Sequence, residues 1–216
     1  MAFLETFQTP RSPIHSGFES PSVRSSAGFQ AVTFFPAGTE IYAQGEESEG
    51  LYKVEFGAIR IYRLLADGRR QISAFHLAGE IFGFEAGNTH HFFAEAICAT
   101  GVRALRTTSH RNEFASELLP VALQGLVRAQ EHLLVLGRQN AVERVAAFLS
   151  DMSERQGGLR RIELPMSRMD IADYLGLTIE TVSRVFTKLR QKGIIRLPGL
   201  RSVEIARWQA LQEMAA

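Results

Sequence analysis

The 216-residue sequence predicts an α+β chain: a small β-roll or jelly roll, then one long helix, then a winged helix-turn-helix. Three observations predict it. Residues 28–110 hold short apolar or alternating runs separated by Gly38, Gly45, Gly57, Gly68, Gly79 and Gly83. Residues 112–137 repeat apolar side chains at helical spacing. Residues 167–206 carry two short helical patterns joined through Gly176 and followed by two strand-like runs.

Composition narrows the possible functions. Hydrophobic residues make up 45% and charged residues 22%, ordinary values for a soluble globular chain of one large or two small domains. The net charge is only +1, so any nucleic-acid surface must come from local clustering. No apolar run reaches the ~18 residues of a membrane span, and the N-terminus lacks a basic-then-apolar signal. The single cysteine, Cys98, excludes an intrachain disulfide and fits a reducing cytoplasm, where the chain is expected to reside. No metal-ligand spacing, phosphate loop or nucleophile elbow stands out, so an enzyme is not expected, and no cofactor is expected either.

The elements follow in order. Residues 1–27 carry Pro10, Pro13, Pro21 and many serines, which predicts a flexible arm. Residues 28–111 form the roll. LYKVEFG, AIRIYRLL and RQISAFHL have strand length, and Asp67-Gly68 predicts a hairpin. His90-His91 would point to opposite faces of a strand, a poor pair for one metal, so hydrogen-bonded or surface histidines are expected. Cys98 lies in an apolar run, and a buried inert thiol is its default state.

Residues 112–139 form a long helix. Pro120 suits only a first turn, which sets the regular start near Leu118 or Leu119. Leu119, Ala122, Leu126, Ala129, Leu133 and Leu136 fall at alternating three- and four-residue steps, an a/d seam that predicts a parallel homodimer. The alternative is a helix packed on its own roll.

Residues 140–206 complete the winged motif. Asn140 with Glu143 is expected to cap one helix, and Gly157-Gly158 to end it. RRIEL is a short strand. Ser167 with Asp170 caps the next helix, MDIADYLG. Gly176 allows the turn, and Thr178 caps the helix that runs to Gly193. IIRL and SVEIA, joined through Pro198-Gly199, form the wing. Residues 207–216 add a short amphipathic tail helix through Trp208 and Leu211.

In the second helix of the motif Val182, Val185 and Leu189 recur at helical spacing and face a core. Ile179, Glu180, Ser183, Arg184, Thr187 and Lys188 fall largely on the other side. Such a helix enters the major groove of double-stranded DNA. There a Glu can accept from cytosine N4 and an Arg can grip guanine O6 and N7. Glu180 and Arg184, four apart, can share one G·C pair. A plain surface ion pair between them is the alternative. Arg168, Thr178, Thr181, Lys188 and Arg201 are candidate phosphate contacts, which position the protein without reading sequence.

Residues 167–193, SRMDIADYLGLTIETVSRVFTKLRQKG, resemble the DNA-binding helices of the CRP/FNR superfamily of bacterial transcription factors. The E-x-x-S-R element (Glu180, Ser183, Arg184) resembles the FNR and FixK branches, and FixK-type regulators above all. The resemblance extends over roughly residues 30–206. It implies a cyclic-nucleotide-binding-like β-roll, a central dimer helix, and a homodimeric regulator that activates transcription by recruiting RNA polymerase. It further implies a setting of nitrogen fixation and oxygen-responsive control. The superfamily pattern matches Arg168, Thr178 and Thr181 best among the phosphate candidates.

The departures from the family pattern carry as much information. In cAMP-binding members a Glu holds the ribose and an Arg-Ser pair holds the phosphate. Alignment through Gly79-Glu80 and Gly83 places Phe84, His90 and His91 at or near those positions, so no cyclic nucleotide is expected. FNR proteins carry an N-terminal cysteine cluster for an iron–sulfur centre, which needs about four thiolates. This arm has none. Some FixK-type members have a cysteine where this chain has Ser183, so a thiol switch there is impossible. CRP proteins carry an Arg before the shared Glu and read TGTGA, whereas FNR-type proteins have an aliphatic residue and bind TTGA. Ile179 therefore implies a palindrome of TTGA-type half-sites. The rival expectation is an effector-gated regulator whose roll binds a small molecule or haem.

Overall fold

The computed structural model describes residues 31–105, 111–138 and 140–215, without the side chains of residues 111–115. The arm expected over residues 1–27 lies outside the described residues, as do His15 and His110. Eight strands build the N-terminal roll: β1 Val32–Phe35, β2 Glu40–Tyr42, β3 Leu51–Phe56, β4 Ala58–Leu64, β5 Arg70–Leu77, β6 Ile81–Phe82, β7 Phe93–Ala96 and β8 Thr100–Leu105. They pair antiparallel in two four-stranded sheets, ordered β1-β8-β3-β6 and β2-β7-β4-β5. The expected Asp67-Gly68 hairpin joins β4 to β5, with Gly68 at φ 80°.

The turn between β3 and β4 needs its glycine. A Cβ on Gly57 would lie 2.5 Å from Thr100 Oγ1 and 2.6 Å from the Ala99 carbonyl, and φ is 83°. That approach lets the buried Thr100 hydroxyl accept the Ala58 N–H at 3.2 Å. Alternation along the strands then splits the apolar side chains between two cores. Ile59 and Ile61 join Tyr42, Val54, Phe82, Ala94 and Val102 inside the roll. Ala58, Ile72, Phe75 and Leu77 join a second core shared with the C-terminal half.

α1 spans Arg111–Gly137 with Pro120 inside it. The expected start near Leu118 or Leu119 is corrected: the helix begins at Arg111. An internal proline costs about 3 kcal/mol through its missing N–H and ring clash. Pro120 is exposed, so its ring displaces no core packing.

The remaining elements are α2 Ala141–Arg155, β9 Arg161–Glu163, α3 Arg168–Leu175, α4 Ile179–Gln191, β10 Ile195–Arg196, β11 Ser202–Ile205 and α5 Trp208–Ala215. The three strands form one sheet in the order β10-β11-β9. Asn140 caps α2 by accepting the Val142 N–H at 2.9 Å, rather than through a reciprocal pair with Glu143. Gly157 and Gly158, at φ 83° and 71°, end α2 as expected. In α5, Leu211 is fully buried.

The roll and the C-terminal half are packed together. Phe75 of β5 meets Phe148 of α2 and Tyr174 of α3, with ring centroids 6.4 and 5.1 Å apart. Burying a side chain of this size contributes roughly 1.5–3 kcal/mol. Two ionic clusters flank this contact. Arg60 and Arg70 reach Asp170 at 3.0 and 2.7 Å, and Arg70 also reaches Asp173 at 2.8 Å. Glu80 pairs with Arg155 of α2 at 2.7 Å and with Arg128 of α1 at 2.9 Å.

His90, His91 and His132 are hydrogen-bonded, as expected, but the reason given for His90-His91 is corrected. They lie in a loop before β7, and their Nδ1 atoms approach the same carboxylate, Glu85, at 3.3 and 2.6 Å. His90 is also stacked on Tyr42, centroids 3.5 Å apart. His132 Nε2 bonds the Tyr174 carbonyl at 2.9 Å.

His76 differs, because its buried Nδ1 has no hydrogen-bond partner. Burial, with Arg155 and Arg128 nearby, lowers its pKa from 6.5 to about 4 despite Glu80. The unfolded chain therefore binds more protons than the folded one between those values, and stability falls as pH drops through that window. Urea unfolding at pH 7 and at pH 4 should show this loss, and His76→Gln should shrink it by roughly 1–3 kcal/mol. Glu80, with a pKa lowered from 4.5 to about 2, adds a loss that begins near pH 4.5 and continues down to about 2, so the His76→Gln comparison isolates the histidine's share at pH 4.

Candidate nucleic-acid interface

The helix-turn-helix is built by local capping. Ser167 Oγ accepts the Asp170 N–H at 3.1 Å while Asp170 Oδ2 accepts the Ser167 N–H at 2.9 Å, the reciprocal pair expected at this start. α3 ends at Gly176 in the left-handed region, φ 62° and ψ 40°, where its N–H reaches the Ala172 carbonyl. Arg144 of α2 braces this turn, donating to the Leu175 carbonyl at 3.0 Å and the Arg138 carbonyl at 2.6 Å. Thr178 then caps α4, accepting the Thr181 N–H at 3.2 Å. Gly193, at φ 65°, stops it.

α4 has two faces. Val182, Val185, Phe186 and Leu189 are buried. Glu180, Ser183, Arg184, Thr187 and Lys188 are exposed, and Ile179 is half-exposed beside them. The candidate base-reading residues Ile179, Glu180, Ser183 and Arg184 thus share the outward side. No ion pair closes between Glu180 and Arg184 among the described residues, so the surface-pair alternative is not formed. The Glu180 carboxyl is held below its usual range by the helix N-terminal N–H, the Thr178 hydroxyl and Arg184. It is an ionised acceptor on the exposed side of the helix.

The phosphate candidates occupy different settings. Lys188 is exposed on α4, and Arg201 is exposed in the wing turn between β10 and β11. The Thr178 and Thr181 hydroxyls lie 3.1 Å apart at the helix start. Arg168 is more constrained than a solvated contact would be. Its guanidinium lies over the Phe186 ring at 3.3 Å, and burial lowers its pKa to about 10. Stacking occupies the guanidinium face and leaves its N–H edges for an anion.

Around this face the charge is one-sided. Residues 178–207 contain seven Lys or Arg and two Asp or Glu, although the whole chain is nearly neutral. Gln191 joins Ser183, Arg184, Thr187 and Lys188 in lining one shallow hollow on α4. Sequence reasoning did not single out Gln191, since an uncharged residue at a helix end gives no signal of its own.

The apolar seam of α1 is divided. Leu119, Leu126 and Leu133 are 59%, 55% and 68% exposed, an unpartnered apolar face. Leu123, Val127 and Leu134 are exposed with them. Ala129 is exposed and Ala122 half-buried. Leu136 is a correction to the predicted seam: it is half-buried and packs toward the Gly176 turn. The exposed face is therefore rotated toward Leu123, because the roll and α2 cover the opposite flank.

Among the described residues no group of three His, Cys, Asp or Glu is arranged to hold a metal ion, and no helix is long and apolar enough to cross a membrane. Cys98 is a half-buried free thiol.

Comparison with known proteins agrees with this architecture. A Crp-like helix-turn-helix domain model matches residues 143–214, and a cyclic nucleotide-binding domain model matches residues 32–113. The chain is 56% identical over 188 residues to the nitrogen fixation regulation protein FixK of Rhizobium meliloti strain 1021, covering 87% of this chain and 89% of that protein. It is 34% identical over 190 residues to the fumarate and nitrate reduction regulatory protein of Escherichia coli K12, covering 82% of this chain and 76% of that one. The solved structure of FixK2 from Bradyrhizobium japonicum superposes with a TM-score of 0.80 at 42% identity, covering 87% of this chain and 98% of that one. The capped helix-turn-helix, the roll before it and these likenesses together place the chain in the CRP/FNR superfamily of transcription regulators, as a FixK-type member.

Proposed function

We propose that this regulator binds, as a homodimer and without an added effector, a palindrome of TTGA-type half-sites with centres about one helical turn apart. It acts as an activator that recruits RNA polymerase at genes of nitrogen fixation, the process for which its FixK relatives are named, and does so in a setting of oxygen-responsive control. The observation that carries this reading is the outward face of α4, where Ile179 precedes Glu180, Ser183 and Arg184. An aliphatic side chain cannot donate to guanine but can lie against a thymine methyl. Glu180 and Arg184 remain to share the inner G·C pair.

Independence from cAMP is supported at the roll. Phe84 is exposed, and His90 is buried against Tyr42 and Glu85. His90 and His91, at or near the positions of the phosphate-holding pair, both turn to the Glu85 carboxylate, and neither position supplies the arginine a buried cyclic phosphate needs. A second reading is favoured by one observation. A cavity of about 450 Å³, lined by Ser73, His76, Phe84, Arg128 and Arg138 among others, lies between the roll, α1 and α2. An effector of another kind could occupy it, and operator binding would then depend on adding that effector.

A competition gel-shift assay at one salt concentration tests the reading. The purified protein alone should retain a TTGA palindrome at about 10⁻⁸ M or tighter and prefer it to GTGA. Ile179→Arg should move the outer preference toward G by roughly 1–3 kcal/mol per half-site. A requirement for cAMP, or an unmoved ranking, would count against the proposal.

Reading and positioning can be separated. Arg184→Ala should lose roughly 1–3 kcal/mol per half-site and relax discrimination at one base pair. Arg168→Ala should weaken binding to all sequences alike and flatten the salt dependence by about one ion per half-site. Because Arg168 stacks on Phe186, it should also lower stability by about 1 kcal/mol, which a melting curve reads. Identical loss patterns across single-base operator variants would reject the assignment.

The dimer is tested at the centre of the exposed α1 face. Leu126→Glu places two like charges across the two-fold in an apolar setting. Sedimentation should show a folded monomer, with palindrome binding lost. An unchanged dimer would move the interface elsewhere.

A further inference from the structure

Glu80 lies in the tight loop between β5 and β6 and joins three parts of the chain. Its Oε2 accepts the Leu77 N–H at 3.0 Å, at the end of β5. Arg155, in the last turn of α2, grips both carboxylate oxygens, Nε to Oε1 at 3.0 Å and Nη2 to Oε2 at 2.7 Å. Arg128, from the middle of α1, donates to Oε1 at 2.9 Å. Arg155 is fixed further by the Phe75 carbonyl at 2.6 Å and by Asp151 at 3.2 Å. The side chains of Arg155 and Glu80 are 7% and 17% exposed.

A two-point Arg–carboxylate contact fixes direction as well as distance, because both groups are planar. Here one partner belongs to the roll and the other to the first helix of the DNA-binding half. The third partner belongs to the helix that carries the exposed apolar face. No other carboxylate among the described ion pairs bonds to the roll, α1 and α2 at once. We propose that Glu80 is a positioning residue for operator recognition: it locks the angle between the DNA-binding half, the roll and α1, so that the two reading helices of a dimer stand at the half-site separation without a bound effector. This inference rests on the dimeric, effector-independent reading above.

The joint stays set across ordinary conditions. Burial alone would raise the Glu80 pKa, but Arg155, His76 and Arg128 outweigh it and hold the group at about 2. The carboxylate is therefore ionised wherever the protein is folded and working. Glu80→Gln keeps the shape of the side chain and removes its charge, which loosens the angle without emptying the site.

Two measurements test the role. The first needs neither DNA nor a dimer: nitroxides at Asp67→Cys and Gln191→Cys, in a Cys98→Ala background, report the distance between the roll hairpin and α4 in one chain, using magnetically diluted samples. The parent should give one narrow distribution, and adding Glu80→Gln should broaden or shift it. An unchanged distribution overturns the proposal. The second uses palindromes with the central spacer native, or longer or shorter by one base pair. Glu80→Gln should lose roughly 2- to 30-fold on the native spacing. It should favour that spacing less, yet keep its TTGA-over-GTGA ranking and its sedimentation as a dimer. Loss of the ranking with the spacing would mean a damaged helix-turn-helix and would overturn the role. If Glu80→Gln does not fold, Arg128→Gln, at a more exposed partner, should show the same broadening in weaker form, and its absence would be equally decisive. Failure of the parent protein to bind without effector would reject effector independence alone, since the distance measurement still judges Glu80.

Discussion

Asp170 does two jobs with one carboxylate. One oxygen takes the N–H and the hydroxyl of Ser167, which starts the first helix of the reading motif. The other takes Arg60 at 3.0 Å and Arg70 at 2.7 Å, both from the roll. At 3% exposure the group has lost its water, and a carboxylate without water is tolerated only when its lone pairs are filled. The cap and the dock therefore depend on each other. Arg60 is held in turn by Glu95, and Arg70 by Asp173, so the arginines arrive already oriented. The helix that sets the reading helix in place is in this way tied to the β2-β7-β4-β5 sheet of the roll.

With Glu80 gripping Arg155 at α2, the DNA-binding half meets the roll through two ionic contacts on either side of the Phe75, Phe148 and Tyr174 rings. Apolar packing resists separation but permits sliding. Planar charge pairs resist rotation. A ligand can shift such a joint only as far as it binds one arrangement better than another. A joint closed by internal ion pairs leaves little for an effector to add, in keeping with the effector-independent reading proposed above.

Features set by neighbours in the chain were legible from sequence. Ser167 with Asp170, Gly176, Thr178 and Gly193 act over a few residues, and each stands where its chemistry predicted. The glycines that separate the roll's strands were legible for the same reason. Contacts between distant residues were not. Arg60 and Asp170 are 110 positions apart, and nothing in either neighbourhood names the other. The α1 seam shows the limit most clearly. One register takes Leu119, Ala122 and Leu126, another takes Leu119, Leu123 and Leu126, and spacing alone does not choose. Only the roll and α2, by covering one flank, expose the Leu123 side and turn Leu136 inward. Pro120 misled because its usual place is a first turn, whereas an exposed interior position bears the same cost without disturbing a core.

The pairing pattern also explains how a chain of net charge +1 can present a basic reading face. Several of its carboxylates are used between elements: Glu80, Glu95, Asp170 and Asp173 each hold arginines at the joint, and Glu55 holds Arg103 in the roll. Around α4 and the wing few acids remain. Arg184, Lys188, Arg190, Lys192 and Arg201 are exposed there, and the described ion pairs leave them uncompensated. Only Arg196 is neutralised, by Glu204 at 2.9 Å across the wing strands. Attraction to phosphate depends on local charge within about a Debye length, roughly 8–10 Å, and not on the sum over the molecule. Spending acids on the joint and keeping them off the reading face thus has two effects at once. It orients α4, and it leaves the field in front of α4 positive.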